Sequence, residues 1–217
     1  MSEKIFFLTF LQRNDTIPAM YIIVGLGNPG EEYENTRHNV GRMFVEAFAK
    51  ANELPDFTFD KKSNALVSEG KVNGEKVVVI LPETFMNKSG DSVKKFVKSK
   101  KAAETLVVIH DELDMPLGRA KISFNKSSGG HRGVESITKV VKTEAYVRIR
   151  VGISGETAGG KLKKPTGEEV VKKFIMGKFK PAEMIELKKE MKKANEALEI
   201  MVKDGREIAT NVFNTNS

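Results

Sequence analysis

Residues 21–39 read YIIVGLGNPGEEYENTRHN, and this stretch decides the fold that we predict from the sequence. It begins with an apolar run rich in β-branched side chains, from Tyr21 to Val24. Glycines and a proline follow at once, which is typical of a buried strand that runs into a tight loop. We therefore predict a strand with a glycine-rich loop at its carboxyl end.

A helix is predicted after this loop. Thr36 is a residue type favoured at helix N-caps, and apolar residues recur behind it at helical spacing, so the helix should cover residues 37–51. His38 would lie in its first turn. The positive end of the helix dipole and the unpaired amide groups favour a neutral imidazole there, which is the form that accepts a proton. One stretch thus supplies a strand, a loop and a candidate base.

The rest of the chain alternates between strand and helix patterns. Strands are predicted over residues 65–69, 76–81, 105–109, 119–124 and 146–153, and helices over residues 93–97, 134–141, 168–176 and 181–205. Asn73 and Gly74 are a strong hairpin signal between the first two of these strands, so that pair should be antiparallel. Connections through helices favour parallel pairing elsewhere. The pattern predicts an α/β fold: a single domain with a twisted mixed β-sheet flanked by helices.

Length and charge are consistent with one domain that meets an anionic partner. The chain has 217 residues and 40% hydrophobic content, which is enough for one sizeable core. Its 36 Lys and Arg outnumber 29 Asp and Glu, which gives a net charge of +7. Such an excess suits a partner made of phosphates, although many basic proteins bind no anion.

Composition also sets expectations about location and cofactors. Residues 1–19 show no clear period and are expected to be a loosely attached extension of a domain that covers residues 20–217. The apolar residues 5–11 are too few for a membrane span and lack a cleavage site, so we expect a cytoplasmic protein. Cysteine is absent and the three histidines lack a metal-binding spacing, so no disulfide, metal or other cofactor is expected. A monomer without a stable protein partner is the default.

Polar residues stand at the ends of three predicted strands. Asn28 follows the first strand, Asn87 follows the strand over residues 76–81, and Asp111 follows the strand over residues 105–109. The carboxyl ends of parallel strands form one ligand-binding edge in open α/β sheets. These three groups and His38 should therefore converge at that edge.

The loop from Gly25 to Gly30 also matches G-x-G-x-x-G, a spacing found in dinucleotide-binding proteins. In that motif the last glycine opens the helix that holds the pyrophosphate, whereas here Pro29 precedes it and polar residues separate it from the helix. The expected acidic residue at the end of a second strand has no candidate. A dinucleotide site is therefore disfavoured.

Each candidate catalytic residue has a structural alternative. A lone His38 could be a partly exposed residue at a helix start, and Asp111 could simply cap a helix or form a turn. If the two residues meet, Asp111 could accept the N–H of the His38 imidazole and fix the tautomer of that ring, as the third member of a triad does. No G-x-S-x-G elbow and no cysteine is present, so water activated by His38 is the simplest hydrolytic mechanism. His110 and His131 are expected to be structural.

Five motifs give the chain a family resemblance. They are YIIVGLGNPGEEYENTRHNVG, TFMNKSG, HDELDMPLGRAK, SSGGHRG and VRIRVGI, and the match runs from Met20 to the end of the chain. This set resembles the bacterial-type peptidyl-tRNA hydrolases. The resemblance implies a single-domain mixed-sheet fold and hydrolysis of the ester that joins a peptide to the terminal ribose of tRNA. That activity recycles tRNA from abandoned translation.

The resemblance also implies roles for individual residues. His38 would be the general base, Asp111 the group that stabilises it, and Asn28 the residue that discriminates blocked from unblocked aminoacyl-tRNA. The residues expected around the terminal adenosine and the peptide are Tyr33, Phe85, Met86 and Asn87, and those expected on the tRNA phosphates are Lys121 and Arg150.

The chain departs from the family pattern at two positions and in one loop. Arg132 stands where an asparagine is usual, Ser123 replaces a second basic residue, and the basic, glycine-rich loop over residues 155–166 is long, as expected of a mobile functional lid. Arg132 would either turn to solvent or reach the 3′-terminal phosphates of tRNA. The rival hypothesis is a non-catalytic RNA-binding protein on the same fold. Because binding alone needs no oriented base, His38 and Asp111 together argue against it.

Overall fold

A computed structural model describes residues 20–215. Within that range the strands are β1 Tyr21–Gly25, β2 Thr58–Asp60, β3 Ala65–Val72, β4 Glu75–Pro82, β5 Leu106–Pro116, β6 Ala120–Phe124, β7 Val147–Glu156 and β8 Leu162–Lys163. The helices are α1 Val40–Ala51, α2 Ser89–Val93, α3 Lys100–Ala103, α4 Arg132–Val141, α5 Glu168–Ile175, α6 Pro181–Asp204 and α7 Arg206–Thr215. None of these helices is long and apolar enough to cross a membrane.

The strands form one mixed sheet in the order β2-β3-β4-β1-β5-β7-β6, and β8 pairs with β7. The central strand β1 runs parallel to both β4 and β5. The hairpin of β3 and β4 is antiparallel, and its turn residues Asn73 and Gly74 have φ angles of 51° and 83°. Both positive values fit a tight hairpin turn that matches the strand twist. The predicted α/β class and mixed sheet are confirmed.

Helices cover both faces of the sheet. On one face α1, α6 and α7 pack against the sheet around Phe44, Phe48 and Leu198, which are almost fully buried. On the other face α2, α3 and α4 do so around Val93 and Ile137. The predicted methionine and leucine stripe of α6 lies in the first of these cores, because its residues recur every three or four positions and meet the sheet together.

The end of β5 was predicted too early in the chain. The strand was predicted to stop at Ile109, but it continues through the polar segment to Pro116, so Asp111 lies within the strand. Pairing with β1 ends where Gly25 meets Ile109, while pairing with β7 continues to Glu112 and beyond. The far part of β5 thus has β7 on one side and a cleft on the other. Asp111, Glu112 and Asp114 line this cleft, so no apolar pattern marks this part of the strand.

Four other differences concern local structure. His38 lies in a 3₁₀ helix, Arg37–Asn39, that precedes α1 instead of in the first turn of α1. Thr36 precedes that helix, but its hydroxyl donates to the carbonyl of Tyr33, so its side chain does not cap it. Part of the expected lid is ordered as β8, which pairs with β7. Strand β2 and helices α3 and α7 were not predicted, and residues 1–19 lie outside the range that the structure describes.

Candidate active site

A cavity of about 660 Å³ opens at the carboxyl edge of β1, β4 and β5. Its walls come from the loop after β1, the 3₁₀ helix with His38, the far part of β5, the start of α4 and one side of α5. The polar residues of its wall include Asn28, His38, Asn87, Asp111, His131, Arg132, Glu168 and Lys172. The four polar residues that the sequence placed at one edge therefore do line one cavity.

His38 and Asp111 meet inside this cavity. The Nδ1 atom of His38 lies 2.9 Å from Oδ1 of Asp111, and both residues are buried. A carboxylate can only accept here, so Nδ1 carries the hydrogen and Nε2 of His38 keeps its lone pair. Gly41, one turn further on, lets α1 approach closely, because a Cβ at that position would overlap the carbonyl oxygen of Ile109. Helix packing and one hydrogen bond thus orient His38 as a base.

Asp111 holds a second imidazole with the same oxygen. Nε2 of His131 also lies 2.9 Å from Oδ1 of Asp111, and the ring centroids of His38 and His131 are 5.2 Å apart. His131 caps α4, since its Nδ1 accepts the backbone N–H groups of Gly133 at 3.2 Å and Val134 at 3.3 Å. Its hydrogen must therefore sit on Nε2 and point to Asp111. His131 is structural, as expected, but it acts directly on the candidate catalytic carboxylate.

The two imidazoles control the ionisation of Asp111. Burial alone would raise the pKa of this carboxyl, but His38 and His131 oppose it electrostatically and by hydrogen bonding, and they hold the pKa of Asp111 well below its usual range. The carboxylate is therefore charged throughout the neutral range, and it can stabilise an imidazolium on His38.

The same three residues have the composition of a metal site, and their ligand atoms lie within 4.8 Å of one another. The hydrogen-bonding pattern opposes that use. Nδ1 of His131 already accepts two amide N–H groups, so a cation on Nε2 would need an imidazolate or would break the cap of α4. A divalent cation therefore fits these residues poorly.

Asn28 is held from three directions. Its side-chain Oδ1 accepts the backbone N–H of Met86 at 2.9 Å. Its backbone N–H donates to Oδ1 of Asn39 at 2.9 Å, and Nδ2 of Asn39 donates back to the carbonyl of Asn28 at 2.8 Å. With Oδ1 engaged, the Nδ2 donor of Asn28 is the group available to a ligand in the cavity.

A buried network supports the segment around Asp111. Nδ1 of His110 donates to the carbonyl of Asp111 at 2.7 Å, and Nη1 of Arg148 lies 3.4 Å from Nε2 of His110. Nη2 of Arg148 donates to the carbonyl of Ser127 at 2.7 Å. Burial, with the nearby His131 and Arg148, lowers the pKa of His110 well below its usual value. His110 is thus a neutral structural group, as expected from its place beside the strand.

Three of the four residues predicted to surround the adenosine and the peptide line the cavity, and one does not. Phe85 is 60% exposed in the cavity wall, beside the exposed Asn87, whereas Met86 is buried beneath them. Tyr33 is not among the residues that line the cavity. Its carbonyl accepts the Thr36 hydroxyl at 2.7 Å, so its backbone supports the turn before His38.

Lys121 and Arg150 are neighbours on the sheet. They face each other in the antiparallel register of β6 and β7. Lys121 is exposed, whereas Nε of Arg150 donates to Oε2 of Glu112 at 2.8 Å. Glu112 lines the cavity next to Asp111. The pair therefore lies close to the cavity, and Glu112 partly neutralises the charge of Arg150.

Arg132 has a partner that the sequence did not reveal. It is the first residue of α4, and its Nη2 lies 3.0 Å from Oε1 of Glu168, the first residue of α5. The two side chains are 71% and 79% exposed. Glu168 thus supplies the anion that a cation at a helix start requires. An ion pair so exposed is weak, so it does not prevent Arg132 from meeting another anion.

Two features of the site were not predicted from the sequence. The contact of His131 with Asp111 spans strand and helix, and its only signal was a histidine directly before the predicted start of α4. Arg37, next to His38, donates hydrogen bonds to the carbonyl of Lys178, between α5 and α6, and to the carboxylate of Glu183 in α6. Nothing in its neighbours along the chain indicated those partners.

Comparison with known proteins is consistent across sequence and structure. A family model described as peptidyl-tRNA hydrolase matches residues 22–217. The peptidyl-tRNA hydrolase of Herpetosiphon aurantiacus is 42% identical over 198 residues, 90% of this chain and 90% of that protein. That of Thermodesulfovibrio yellowstonii is 37% identical over 198 residues, 90% of this chain and 99% of that protein. The crystal structure of peptidyl-tRNA hydrolase from Acinetobacter baumannii matches with a TM-score of 0.81 and 32% identity, over 92% of this chain and 96% of that chain.

Proposed function

The chain belongs to the peptidyl-tRNA hydrolase family and is an enzyme that hydrolyses peptidyl-tRNA, and from this premise we propose that His38 activates the attacking water. The bond cleaved is the ester between a peptide, or an N-blocked aminoacyl group, and the 3′-terminal ribose of tRNA. The role of the enzyme in translation is to recycle tRNA that is released with its peptide by stalled ribosomes. One observation supports the mechanism: Nδ1 of His38 lies 2.9 Å from Oδ1 of Asp111, an arrangement that favours the hydrogen on Nδ1 and leaves Nε2 free to act as base.

The proposed reaction starts with a water molecule at Nε2 of His38. As the water oxygen attacks the ester carbonyl, its proton moves to Nε2, and the charged Asp111 stabilises the imidazolium that forms. The tetrahedral intermediate then breaks its bond to the ribose oxygen. The imidazolium returns the proton to that oxygen, so the products are a free carboxylic acid and a tRNA with a free hydroxyl.

We assign the polar donors of the cavity to the ester and the peptide. Asn28 presents Nδ2, a hydrogen-bond donor, which suits a peptide carbonyl. A free α-ammonium group would offer only donors and a positive charge to Asn28, so this residue would discriminate against unblocked aminoacyl-tRNA. Asn87 lies in the same wall and would share in binding the ester region. Met86 would pack under the substrate.

The remaining residues would hold the tRNA. Phe85, with its exposed ring, offers a stacking surface for the terminal adenosine, and Tyr33 would contribute from outside the cavity wall. Lys121 and Arg150 would bind tRNA phosphates from neighbouring strands, and Arg132 would do so by exchanging Glu168 for a phosphate. We propose that the protein works in the cytoplasm as a monomer without cofactor.

A comparison of two substrates tests this function. The protein is incubated with N-blocked aminoacyl-tRNA and with the same tRNA carrying a free amine, and the release of tRNA is measured. We expect rapid release from the blocked form only. Tight tRNA binding with no release from either substrate would instead support a non-catalytic RNA-binding protein, which the family membership does not favour.

A further inference from the structure

The residues on either side of His38, Arg37 and Asn39, attach its turn to two different parts of the fold. Asn39 ties it to the loop after β1 through two hydrogen bonds with Asn28. Arg37 ties it to the segment between α5 and α6 through its backbone and its side chain. We propose that Arg37 is a positioning residue, which holds His38 and the α5 wall of the active site at a fixed distance. This role rests on the proposed function, because it is exerted through His38.

Arg37 is buried, with 8% of its surface exposed, and its side chain makes hydrogen bonds to three residues. Nη1 donates to the carbonyls of Lys178 at 2.8 Å and Gly177 at 3.3 Å. Nη2 lies 2.8 Å and 2.9 Å from the two carboxylate oxygens of Glu183. Of the three guanidinium nitrogens of Arg37, Nε is the one without a hydrogen-bond partner among the described residues. The charge is therefore compensated at the junction of α5 and α6.

The partner of Arg37 is itself fixed. One oxygen of Glu183 also accepts the backbone N–H of Lys180 at 2.7 Å, so this carboxylate caps the start of α6. Helix α6 packs its apolar stripe against the sheet. Through Glu183, Arg37 is thus anchored to a rigid part of the molecule.

Backbone contacts strengthen this connection. The N–H of Arg37 donates to the carbonyl of Gly177 at 3.0 Å, and the N–H of Phe179 donates to the carbonyl of Asn35 at 3.0 Å. Thr36 and Lys178 form an isolated antiparallel bridge between the same two segments. The chain before His38 and the chain after α5 therefore behave as one unit.

Helix α5 packs only partly against the core, through Phe174 and Ile175, and also contacts Arg37. None of its residues, Glu168–Ile175, is buried, yet Val171, Lys172 and Ile175 line the active-site cavity. The guanidinium carbon of Arg37 lies 4.7 Å from the centre of the Phe174 ring in this helix. It also lies 5.1 Å from the ring of the buried Phe179. The stacked arginine therefore joins the lightly packed wall to the turn that holds the base.

Only arginine suits this place. Its planar group offers hydrogen bonds to two carbonyls and a carboxylate at its edge while its face rests on aromatic rings. Lysine keeps the charge but provides a single point of contact, so it cannot hold all these partners in one geometry. Catalysis is sensitive to small displacements of a base, so a loosened turn should slow the reaction without removing any group that touches substrate.

The variant Arg37→Lys tests the proposal in the full-length protein. Arg42→Lys is the matched control, because Arg42 is a similarly buried arginine on α1 that also binds a carbonyl, that of Pro82, and a carboxylate, that of Glu83. Turnover is measured on N-blocked aminoacyl-tRNA, and hydrogen exchange is followed for the amides of α5 and α1. Thermal unfolding confirms that each variant is folded.

We expect Arg37→Lys to lower kcat by about tenfold to a hundredfold, with KM changed by less than about threefold. The rate of amide hydrogen exchange should rise more in α5 than in α1. Arg42→Lys should lower Tm while leaving kcat and α5 exchange near the parent values. Unchanged kcat in a folded Arg37→Lys protein would overturn the proposal, and so would a lower kcat with unchanged α5 exchange.

Glu183→Gln provides a second measurement if Arg37→Lys does not fold. It keeps the shape of the partner and removes its charge, so a partial loss of kcat and a partial rise in α5 exchange are expected. No change in either quantity would contradict the role of Arg37. If the parent protein itself released no tRNA, the proposed function would fail, while the exchange comparison would still decide whether Arg37 holds α5.

Discussion

At the scale of single residues, the chemistry depends on where hydrogens sit. One oxygen of Asp111 accepts from two imidazoles, and each imidazole has its tautomer set by a contact on one nitrogen. His131 is fixed by the amide groups of α4, and His38 is fixed by Asp111 itself. As a result, of these two imidazoles only that of His38 keeps a nitrogen lone pair available to the cavity. The identity of the base follows from this hydrogen-bonding pattern instead of from the number of histidines nearby.

Removal of this nitrogen should abolish most of the turnover. We predict that His38→Ala lowers kcat by at least about a hundredfold, which is typical for the loss of a general base. Affinity for tRNA should change little, because His38 makes no proposed phosphate contact. The measurements are single-turnover release of tRNA and equilibrium binding. Near-normal release by His38→Ala would show that another group activates the water.

At the scale of secondary-structure elements, two helix starts face each other across the mouth of the cavity. Arg132 begins α4 and Glu168 begins α5, and their ion pair joins the two elements. A second ion pair, between Lys164 and Asp114 at 2.5 Å, links the segment before α5 to β5. Both pairs are at least partly exposed, so substrate phosphates can compete with their carboxylates.

Substitutions at this mouth separate the two roles considered for Arg132. If the guanidinium binds phosphate, Arg132→Asn and Arg132→Ala should both weaken tRNA binding and reduce the slope of log K against log salt by about 0.7 to 0.9. Glu168→Gln should have the opposite effect on affinity, because it removes the competing anion. Binding is measured by filter retention over a range of salt. An undiminished slope in both Arg132 variants would assign this side chain to solvent and Glu168.

The neighbouring strands β6 and β7 carry the second proposed tRNA contact. Neutralising Lys121 or Arg150 by substitution with Gln should weaken binding of whole tRNA and reduce the salt slope by about one contact. A minimal peptidyl-adenosine ester, which lacks the tRNA body, should be cleaved at the parent rate. Equal losses on both substrates would mean that these residues support the fold or the chemistry. The comparison of substrates matters most for Arg150, because this residue also binds Glu112 in the cavity wall.

At the scale of the whole molecule, the buried ionisable groups make stability depend on pH. The pKa of Asp111 is lowered in the folded state, so its contribution is present above the unfolded value of about 3.9 and is lost as pH falls below it. The pKa of His110 is lowered too, so below about pH 6.5 the unfolded chain takes up a proton that the folded chain excludes. Both groups therefore destabilise the fold on acidification.

Asp111→Asn should make this dependence visible. At pH 7 the variant should unfold with a free energy about 2 kcal/mol lower than that of the parent, because a charged acceptor of two hydrogen bonds is lost. The difference should shrink as pH falls below about 3.9, because the unfolded parent then takes up a proton on Asp111 while the folded parent keeps the charge. Urea unfolding at several pH values gives this difference, and Asp56→Asn, at an exposed position, is the control. A difference that stays constant with pH would contradict the charged state assigned to Asp111.

The sequence by itself determined the elements that depend on local patterns. Strand β1, the hairpin at Asn73 and Gly74, and the amphipathic helix α6 were all predictable, because periodicity and turn chemistry act over a few residues. The convergence of Asn28, His38 and Asp111 was predictable too, since parallel strands end at one edge. Local rules and sheet topology were sufficient for these features.

Only the tertiary structure decided how polar residues are paired. The extension of β5 through Asp111, the attachment of His131 to that carboxylate, and the partners of Arg37 and Arg132 all join segments far apart in the chain. A hydrophobic pattern shows which face of a helix or strand is buried, but a charged side chain can reach any of several partners. Its choice depends on distances of a few ångströms that are set when the helices pack on the sheet, and no local sequence signal carries them.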